Sequence, residues 1–294
     1  MAVTSNILLV GGGGLGVIAA LSLEASRRAQ VTAVLRSNYK IVKENGYIIK
    51  SFDHGIIEGW SPTRIVNQIP HVSSDDLPYD YIVLTTKNIP EAGPDMAELI
   101  APAVSPGITV IVLIQNGLNI ERPYLKRYPS NIILSGISFA GSQEIRPGII
   151  EHGNHDHLLV GPFWNQDVDI TRGQIAAKTF VSLYEASGNA SCFYTAETIS
   201  HRWRKLVYNA TMNPLCAITN LDSGSLRQSG SAMVKIIQDA MEEVVTAAGA
   251  AGYTLPPETA QELLEDDPIE GSFEPSMLQD VRKVCESDIG FSMP

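Results

Sequence analysis

Positive charge is in short supply in this sequence. Its 294 residues carry 21 lysines and arginines against 32 aspartates and glutamates, for a net charge of -11. No basic footprint marks a nucleic-acid surface, and an anionic membrane would repel such a chain. Cysteine is scarce too: Cys192, Cys216 and Cys285 lie far apart and are odd in number. They encode neither a disulfide framework nor a CxxC metal pair, and free thiols suit a reducing, cytoplasmic compartment. The HExxH, GxSxG, GxxxxGK(S/T) and EF-hand patterns are missing. Their absence removes support for metalloprotease, serine-hydrolase, P-loop and calcium-loop chemistry. His152, His155 and His157 have no cysteine at ligand spacing; a hairpin surface accounts for them and no metal is expected. Charge of either sign is absent from Ile7 to Leu23, yet no Lys or Arg precedes that run and it holds five glycines. Neither feature suits a signal peptide or a membrane span, so a soluble protein is expected.

What is present points to an α/β half followed by a helical half. Asn6–Val10 is a short apolar run, glycines follow, and a helical pattern extends from about Gly14 to Arg28 with Leu15, Ile18, Ala19 and Leu23 on one face. Val31–Leu35 is a second apolar run, which completes a strand–turn–helix–strand unit. Further buried strands are predicted at Tyr81–Thr85, Ile108–Leu113 and Ile132–Ser138, with helices over about Pro90–Ile100, Asn119–Arg127 and Ile170–Ala186. Gly141 to Gly161 reads as hairpins, with a turn at Arg146-Pro147-Gly148. Strand signals stop near Tyr194. Beyond it come a helix over Thr195–Asn213 and another over Ser229–Ala248, the latter ended by Gly249 and Gly252. Two domains are expected, residues 1–195 and 196–294.

Gly11-Gly12-Gly13-Gly14-Leu15-Gly16 contains GxGxxG at Gly11, Gly13 and Gly16, directly after a strand and opening a helix. In that setting the glycines permit a tight turn, a backbone approach to a pyrophosphate and close helix–strand packing. The helix start adds unpaired N–H groups and the positive end of its dipole. An NAD site places an acid about 20 residues further on, against the ribose 2′-hydroxyl. Here Val31 to Tyr39 holds no acid, and Arg36 stands 20 residues beyond Gly16. A guanidinium there suits a 2′-phosphate, so NADPH/NADP+ is the expected cofactor.

In the helical half, Lys205, Asn209 and Asn213 are spaced i, i+4, i+8. Such residues drift only about 40° per step around a helix and share one stripe. One cation and two carboxamides can hold a small anion and polarise its carbonyl, and Pro214 is expected to end or kink the helix just past Asn213. Lys87 and Asn116 follow two of the predicted strands, where open α/β sheets place ligands.

Taken in chain order, these motifs resemble the ketopantoate reductase (2-dehydropantoate 2-reductase) family. The matching residues are the glycine loop, Arg36, Lys87, Gln115-Asn116-Gly117, Arg146-Pro147-Gly148, Trp203-x-Lys205-Leu206-x-x-Asn209-x-x-x-Asn213-Pro214 and Ser276-Met277-Leu278-Gln279-Asp280-Val281. The resemblance implies an N-terminal Rossmann-type NADP-binding domain and an all-α C-terminal domain of the 6-phosphogluconate dehydrogenase-like type. It also implies NADPH-dependent reduction of the 2-keto group of ketopantoate in pantothenate synthesis, with a small 2-keto acid as partner and a homodimer as a family state. By it, Lys205 is the proton donor. Asn209, Asn213 and Ser276 hold substrate, Lys87 and Asn116 lie near the cofactor, Asn116 also near substrate, and Arg36, Lys87 and Lys205 form a positive seam.

Two departures accompany the resemblance. Ser223-Gly224 stands where the family usually has an asparagine before glycine, and Asp288 falls on the position of a cofactor-side glutamate, six residues before Pro294. The match is expected to fail after Lys283. Val284-Cys285 can be encoded by GTATGT, a common intron start, so a retained intron or a truncation is expected from Val284 onward. Two other readings keep the same cofactor: a paralogous reductase of another branched 2-keto acid, and a non-catalytic NADP(H)-binding regulator.

Overall fold

The computed structural model describes residues 4–89, 95–266, 269–270 and 273–289, with side chains described as far as Lys283. Contacts divide the chain into two compact units, Met1–Thr198 and Ile199–Pro294.

In the first unit, β1 (Ser5–Val10), α1 (Gly14–Ala25) and β2 (Ala29–Val34) form the expected βαβ unit. After them come α2 (Tyr39–Asn45), β3 (Tyr47–Ser51), β4 (Gly55–Trp60), β5 (Arg64–Val66), β6 (Tyr81–Leu84) and α3 (Met96–Leu99). Then follow β7 (Val110–Leu113), α4 (Arg122–Arg127), β8 (Ile133–Ser138), β9 (Ser142–Arg146), β10 (Ile149–His152), β11 (His157–Pro162), α5 (Ile170–Tyr184) and β12 (Ser191–Tyr194). Eight strands make the main sheet in the order β12-β11-β8-β7-β6-β1-β2-β5. Its pairs are parallel apart from β11 against β8.

Strand alternation splits the core between the two faces of this sheet. Ile7, Leu9, Val83 and Val112 pack with α1 and with Phe180 and Tyr184 of α5. Leu8, Val10, Ile82, Leu84 and Ile111 pack with Ala97, Ile100 and Tyr124 on the other side. A second sheet, β4-β3-β10-β9, covers the outside of α1. Of the hairpins expected over Gly141 to Gly161, β9–β10 forms one, whereas β11 pairs with β8 and β12 in the main sheet, and β10 pairs in parallel with β3 across a hundred residues of chain. This layer explains the uncharged run from Ile7 to Leu23. Residues Gly16 to Leu23 of α1 are all buried, since the helix is enclosed by two sheets and α5. A helix apolar all round is a core helix here.

Carboxylates stitch the layers together. Asp53, in the β3–β4 turn, lies 2.6 Å from His155 Nδ1, and His155 Nε2 lies 2.7 Å from Ser191 Oγ. Fully buried Asp156, just before β11, accepts from Tyr184 Oη at 2.8 Å and Ser22 Oγ at 3.3 Å, and so links the start of that strand to α5 and α1. His152 is buried, not on a hairpin surface as expected, with Nδ1 2.9 Å from Ser51 Oγ. The β10–β3 pairing is what covers it.

The second unit comprises α6 (Thr198–Asn209), α7 (Met212–Thr219), α8 (Ser223–Gln228), α9 (Ser231–Ala250), α10 (Thr259–Glu265) and α11 (Ser276–Ile289). Val207, Met212, Cys216, Leu226, Ile237, Met241 and Leu278 form its core. Three expectations are corrected here. The helix predicted over Thr195–Asn213 ends at Asn209, and a new one starts at Met212. Pro214 does not end the helix after Asn213; it breaks it one turn earlier. A proline has no N–H for the carbonyl four residues back and its ring crowds that carbonyl, so helix cannot continue through Ala210. In the first turn of α7 the missing N–H costs nothing. The long helix α9 also runs through Gly249 to Ala250, and the chain leaves it only near Gly252, whose φ is +90°.

Candidate active site

The order β7-β6-β1-β2 sets four segments side by side at the carboxyl ends of parallel strands. They are Gln115–Asn116 after β7, Thr85–Lys87 after β6, the glycine loop after β1, and Arg36 after β2. From β1 the chain builds outward on one side through β2 and on the other through β6, which makes this edge the switch point where open α/β sheets bind ligands.

Within the loop the glycines do different work. Gly11 has φ +121°, a left-handed value that a side chain resists. A Cβ on Gly16 would sit 1.9 Å from the Gly11 carbonyl oxygen, and one on Gly14 would sit 2.5 Å from the backbone of β9. These two allow protein to touch protein. Gly13 is the exception: a Cβ there would meet nothing within 4 Å. It precedes α1, whose first turn holds no acidic residue and no side-chain cap. Open space beside an uncapped helix start fits the pyrophosphate of a dinucleotide.

Three residues that sequence reasoning did not single out hold this loop. Asn38 Nδ2 donates to the Gly12 carbonyl at 2.8 Å and to Glu144 Oε1 at 2.9 Å, while Tyr47 Oη donates to the same carbonyl at 3.2 Å. Burial first, then the Glu144 carboxylate, raises the Tyr47 pKa well above the usual tyrosine value, which keeps it a donor. Glu144 lies on β9, far away in sequence, so no local pattern could have revealed the group. On the other side Thr85 Oγ1 donates to the Gly11 carbonyl at 3.0 Å. Buried Gln115 donates Nε2 to the Thr86 carbonyl at 2.8 Å, which ties the ends of β6 and β7 together. Arg36, Lys87 and Asn116 are exposed along this edge.

In the second unit, Asn209 closes α6 and buried Asn213 belongs to α7. The continuous stripe expected of Lys205, Asn209 and Asn213 is therefore interrupted, yet Asn213 Nδ2 still lies 3.4 Å from Asn209 Oδ1. Lys205 is half-buried one turn before Asn209. Burial, and then the charge of Arg202 three residues earlier, lower its pKa to about 8. Exposed Ser276 opens α11, which Arg282 fastens to the end of α7 through the Asn220 side chain at 2.9 Å and carbonyl at 3.0 Å. The side chain of Asp288 lies outside the described residues. Lys205 belongs to a different unit from Arg36 and Lys87. Among the described residues, no group of three or more His, Cys, Asp or Glu side chains is arranged to hold a metal ion.

Residues 7–165 match the family model described as Ketopantoate reductase PanE/ApbA, and residues 197–291 match its C-terminal counterpart. The chain belongs to the ketopantoate reductase family. Members of that family are NAD(P)-dependent oxidoreductases, and this chain is one by membership. An uncharacterized protein of Saccharomyces cerevisiae is 34% identical over 300 residues, spanning 95% of this chain and 83% of that one. The crystal structure of 2-dehydropantoate 2-reductase from Methylococcus capsulatus superposes with a TM-score of 0.77 at 27% identity, covering 95% of this chain and 84% of that one. A ternary structure of D-mandelate dehydrogenase with NADH and anilino(oxo)acetate shares the fold, with a TM-score of 0.80 at 22% identity over 95% of this chain and 86% of that one. The C-terminal family match runs to residue 291, through Val284 and Asp288. The expected failure of the ketopantoate reductase pattern after Lys283 is thereby corrected: residues well past Val284 carry family sequence, and α11 continues to Ile289.

Proposed function

We propose that this protein is an NADPH-dependent 2-keto acid reductase acting on ketopantoate, with the first unit binding the dinucleotide and the second supplying the proton. The observation that carries the reading is the pair of features at Gly13, open space beside an uncapped helix start, joined to a strand end that bears Arg36 and no acid. The N–H groups of the first turn of α1 take the pyrophosphate, and Arg36 takes the 2′-phosphate as a planar fork. Bound there, the reduced nicotinamide supplies hydride to the carbonyl carbon of the substrate.

Lys205 donates the proton. With a pKa near 8 its ammonium is about nine-tenths populated at pH 7, and it gives up that proton far more readily than an ordinary lysine. Its charge stabilises the alkoxide that develops as the carbonyl is reduced. Asn213, buried and directed at Asn209, fixes the carboxamide pair that receives the hydroxyl and carboxylate of the substrate. Ser276 in the second unit is assigned to substrate, Lys87 and Asn116 in the first unit to the cofactor, and Asp288 to the cofactor by its place in the family pattern.

The test is NADPH oxidation by purified protein over a panel of branched and aryl 2-keto acids that includes ketopantoate, beside an NADH control. Turnover of ketopantoate with NADPH above all other pairs is expected. Arg36→Ala should raise KM for NADPH by about 10–100-fold, as expected for loss of a charge-assisted fork, with little effect on NADH. Turnover confined to another branched 2-keto acid identifies a paralogous reductase with the same machinery. Dinucleotide binding without turnover on the whole panel identifies a regulator.

A further inference from the structure

The Gly12 carbonyl accepts from Asn38 and Tyr47, and Glu144 in turn accepts from Asn38, so the group that holds it is drawn from three separate parts of the fold. Asn38 stands just before α2, two residues beyond Arg36; Tyr47 is on β3; Glu144 is on β9. Asn38 is 4% exposed and Tyr47 1%. The Asn38 carboxamide has one NH2 group, and it serves both the Gly12 carbonyl at 2.8 Å and the Glu144 carboxylate at 2.9 Å. The same Oε1 of Glu144 accepts the backbone N–H of Gly148 at 2.9 Å, in the β9–β10 turn. A carboxylate anchored to a hairpin thus fixes the orientation of Asn38, and Asn38 fixes the loop.

We propose that Asn38, oriented by Glu144 and assisted by Tyr47, is a positioning and specificity-determining device for the dinucleotide. It locks the phosphate loop and ties it to the strand end that carries Arg36. This rests on the reading of the glycine loop and Arg36 as a dinucleotide site. The physical argument is preorganisation. The loop presents N–H groups usefully only if its carbonyls point away from the ligand, and a flexible glycine carbonyl keeps one direction only where donors hold it. Asn38 and Tyr47 do so with two donors to one oxygen. The tether also sets the spacing between the two anion-binding elements, the N–H groups of α1 and the Arg36 guanidinium. A ligand with both a pyrophosphate and a 2′-phosphate engages them together, so the second contact forms at high effective concentration. A ligand without the 2′-phosphate gains nothing from that spacing. The small sheet therefore acts on cofactor choice without touching the cofactor.

The measurements are Kd for NADPH and for NADH by fluorescence titration on the intact chain, thermal melts without ligand, and KM and kcat for turnover. Asn38→Ala should weaken NADPH binding by about tenfold, with a smaller effect on NADH and with kcat within about twofold. Glu144→Gln keeps an acceptor for Asn38 and should restore near-native binding, whereas Glu144→Ala should behave like Asn38→Ala. Tyr47→Phe should give the mildest loss. Equal weakening for NADPH and NADH, or a Glu144→Gln variant as poor as Glu144→Ala, overturns the proposal. So does a fall in melting temperature with unchanged dinucleotide affinity, which is the mark of a purely structural network. If the unmodified protein binds neither dinucleotide, the reading of the site itself has failed, and that result is distinct from variants that bind as well as the unmodified protein.

Discussion

Lys205 carries a cost that its proposed role explains. Burial and the neighbouring Arg202 bring its pKa to about 8, below the ordinary lysine value of 10.5. Between those two values the unfolded chain binds more protons than the folded one, so stability rises as pH rises through that window. Lys205→Met should remove this rise and melt higher than the unmodified protein at pH 7, by a few degrees. The same variant should lose about 10²–10⁴-fold in kcat for 2-keto acid reduction. Steady-state kinetics with melts at pH 7 and pH 10 check both halves, and a variant that turns over normally excludes the proton-donor role. In the unmodified enzyme the rate of reduction should fall as pH rises through about 8, where the ammonium is lost. Asp156 shows the opposite sign. Burial raises its pKa above the usual carboxylate value, and outweighs the hydrogen bonds from Tyr184 and Ser22, which pull it down. The contribution of its neutral form is fully present at and below pH 4 and is lost as pH rises through the raised value. Asp156→Asn should therefore gain stability relative to the unmodified protein as pH rises above 4, as read from the difference in melting temperature.

At the scale of elements, α1 separates two uses of glycine that one motif conceals. Gly13 precedes the helix with φ -81° and ψ -175°, a backbone that any residue adopts, and its side-chain direction is empty. Gly13→Val should leave the unliganded melting temperature within about 2 °C, a surface-type effect, while weakening dinucleotide binding by more than tenfold. Gly16→Ala drives a methyl group into the Gly11 carbonyl and should destabilise the first unit by several kcal/mol through overpacking and backbone shift. Melting curves with and without NADPH distinguish the two. The α6–α7 break teaches a related lesson. Spacing placed Lys205, Asn209 and Asn213 on one stripe, and Pro214 acts four residues upstream of itself, so the stripe is interrupted at Ala210 and Thr211. The polar pair is retained only because α7 restarts with Asn213 facing Asn209.

For the whole molecule, a ligand that binds only the folded chain raises stability by about 2.7 kcal/mol at a hundredfold excess over Kd. A rise in melting temperature with NADPH that exceeds the rise with NADH at equal concentration is expected, and the reverse order would reassign the cofactor. The net charge of -11 makes the proposed anion-binding groups exceptions within their surroundings. Arg36 and Lys87 lie along one edge of the main sheet and Lys205 in the other unit. What the sequence by itself determined is therefore local. It established the βαβ unit, because strand period, glycine spacing and helix period all fall within thirty consecutive residues. It also marked the absence of an acid after β2, and the helical second half, where the α9 pattern stands out. Only the tertiary structure decided the second sheet, the enclosure of α1, the buried state of His152 and the Asn38–Tyr47–Glu144 hold on the phosphate loop. Each depends on chain segments a hundred or so residues apart meeting across β3 and β10. Such pairings follow from which apolar faces remain to be covered once the local elements exist, and no window of neighbouring residues contains that information.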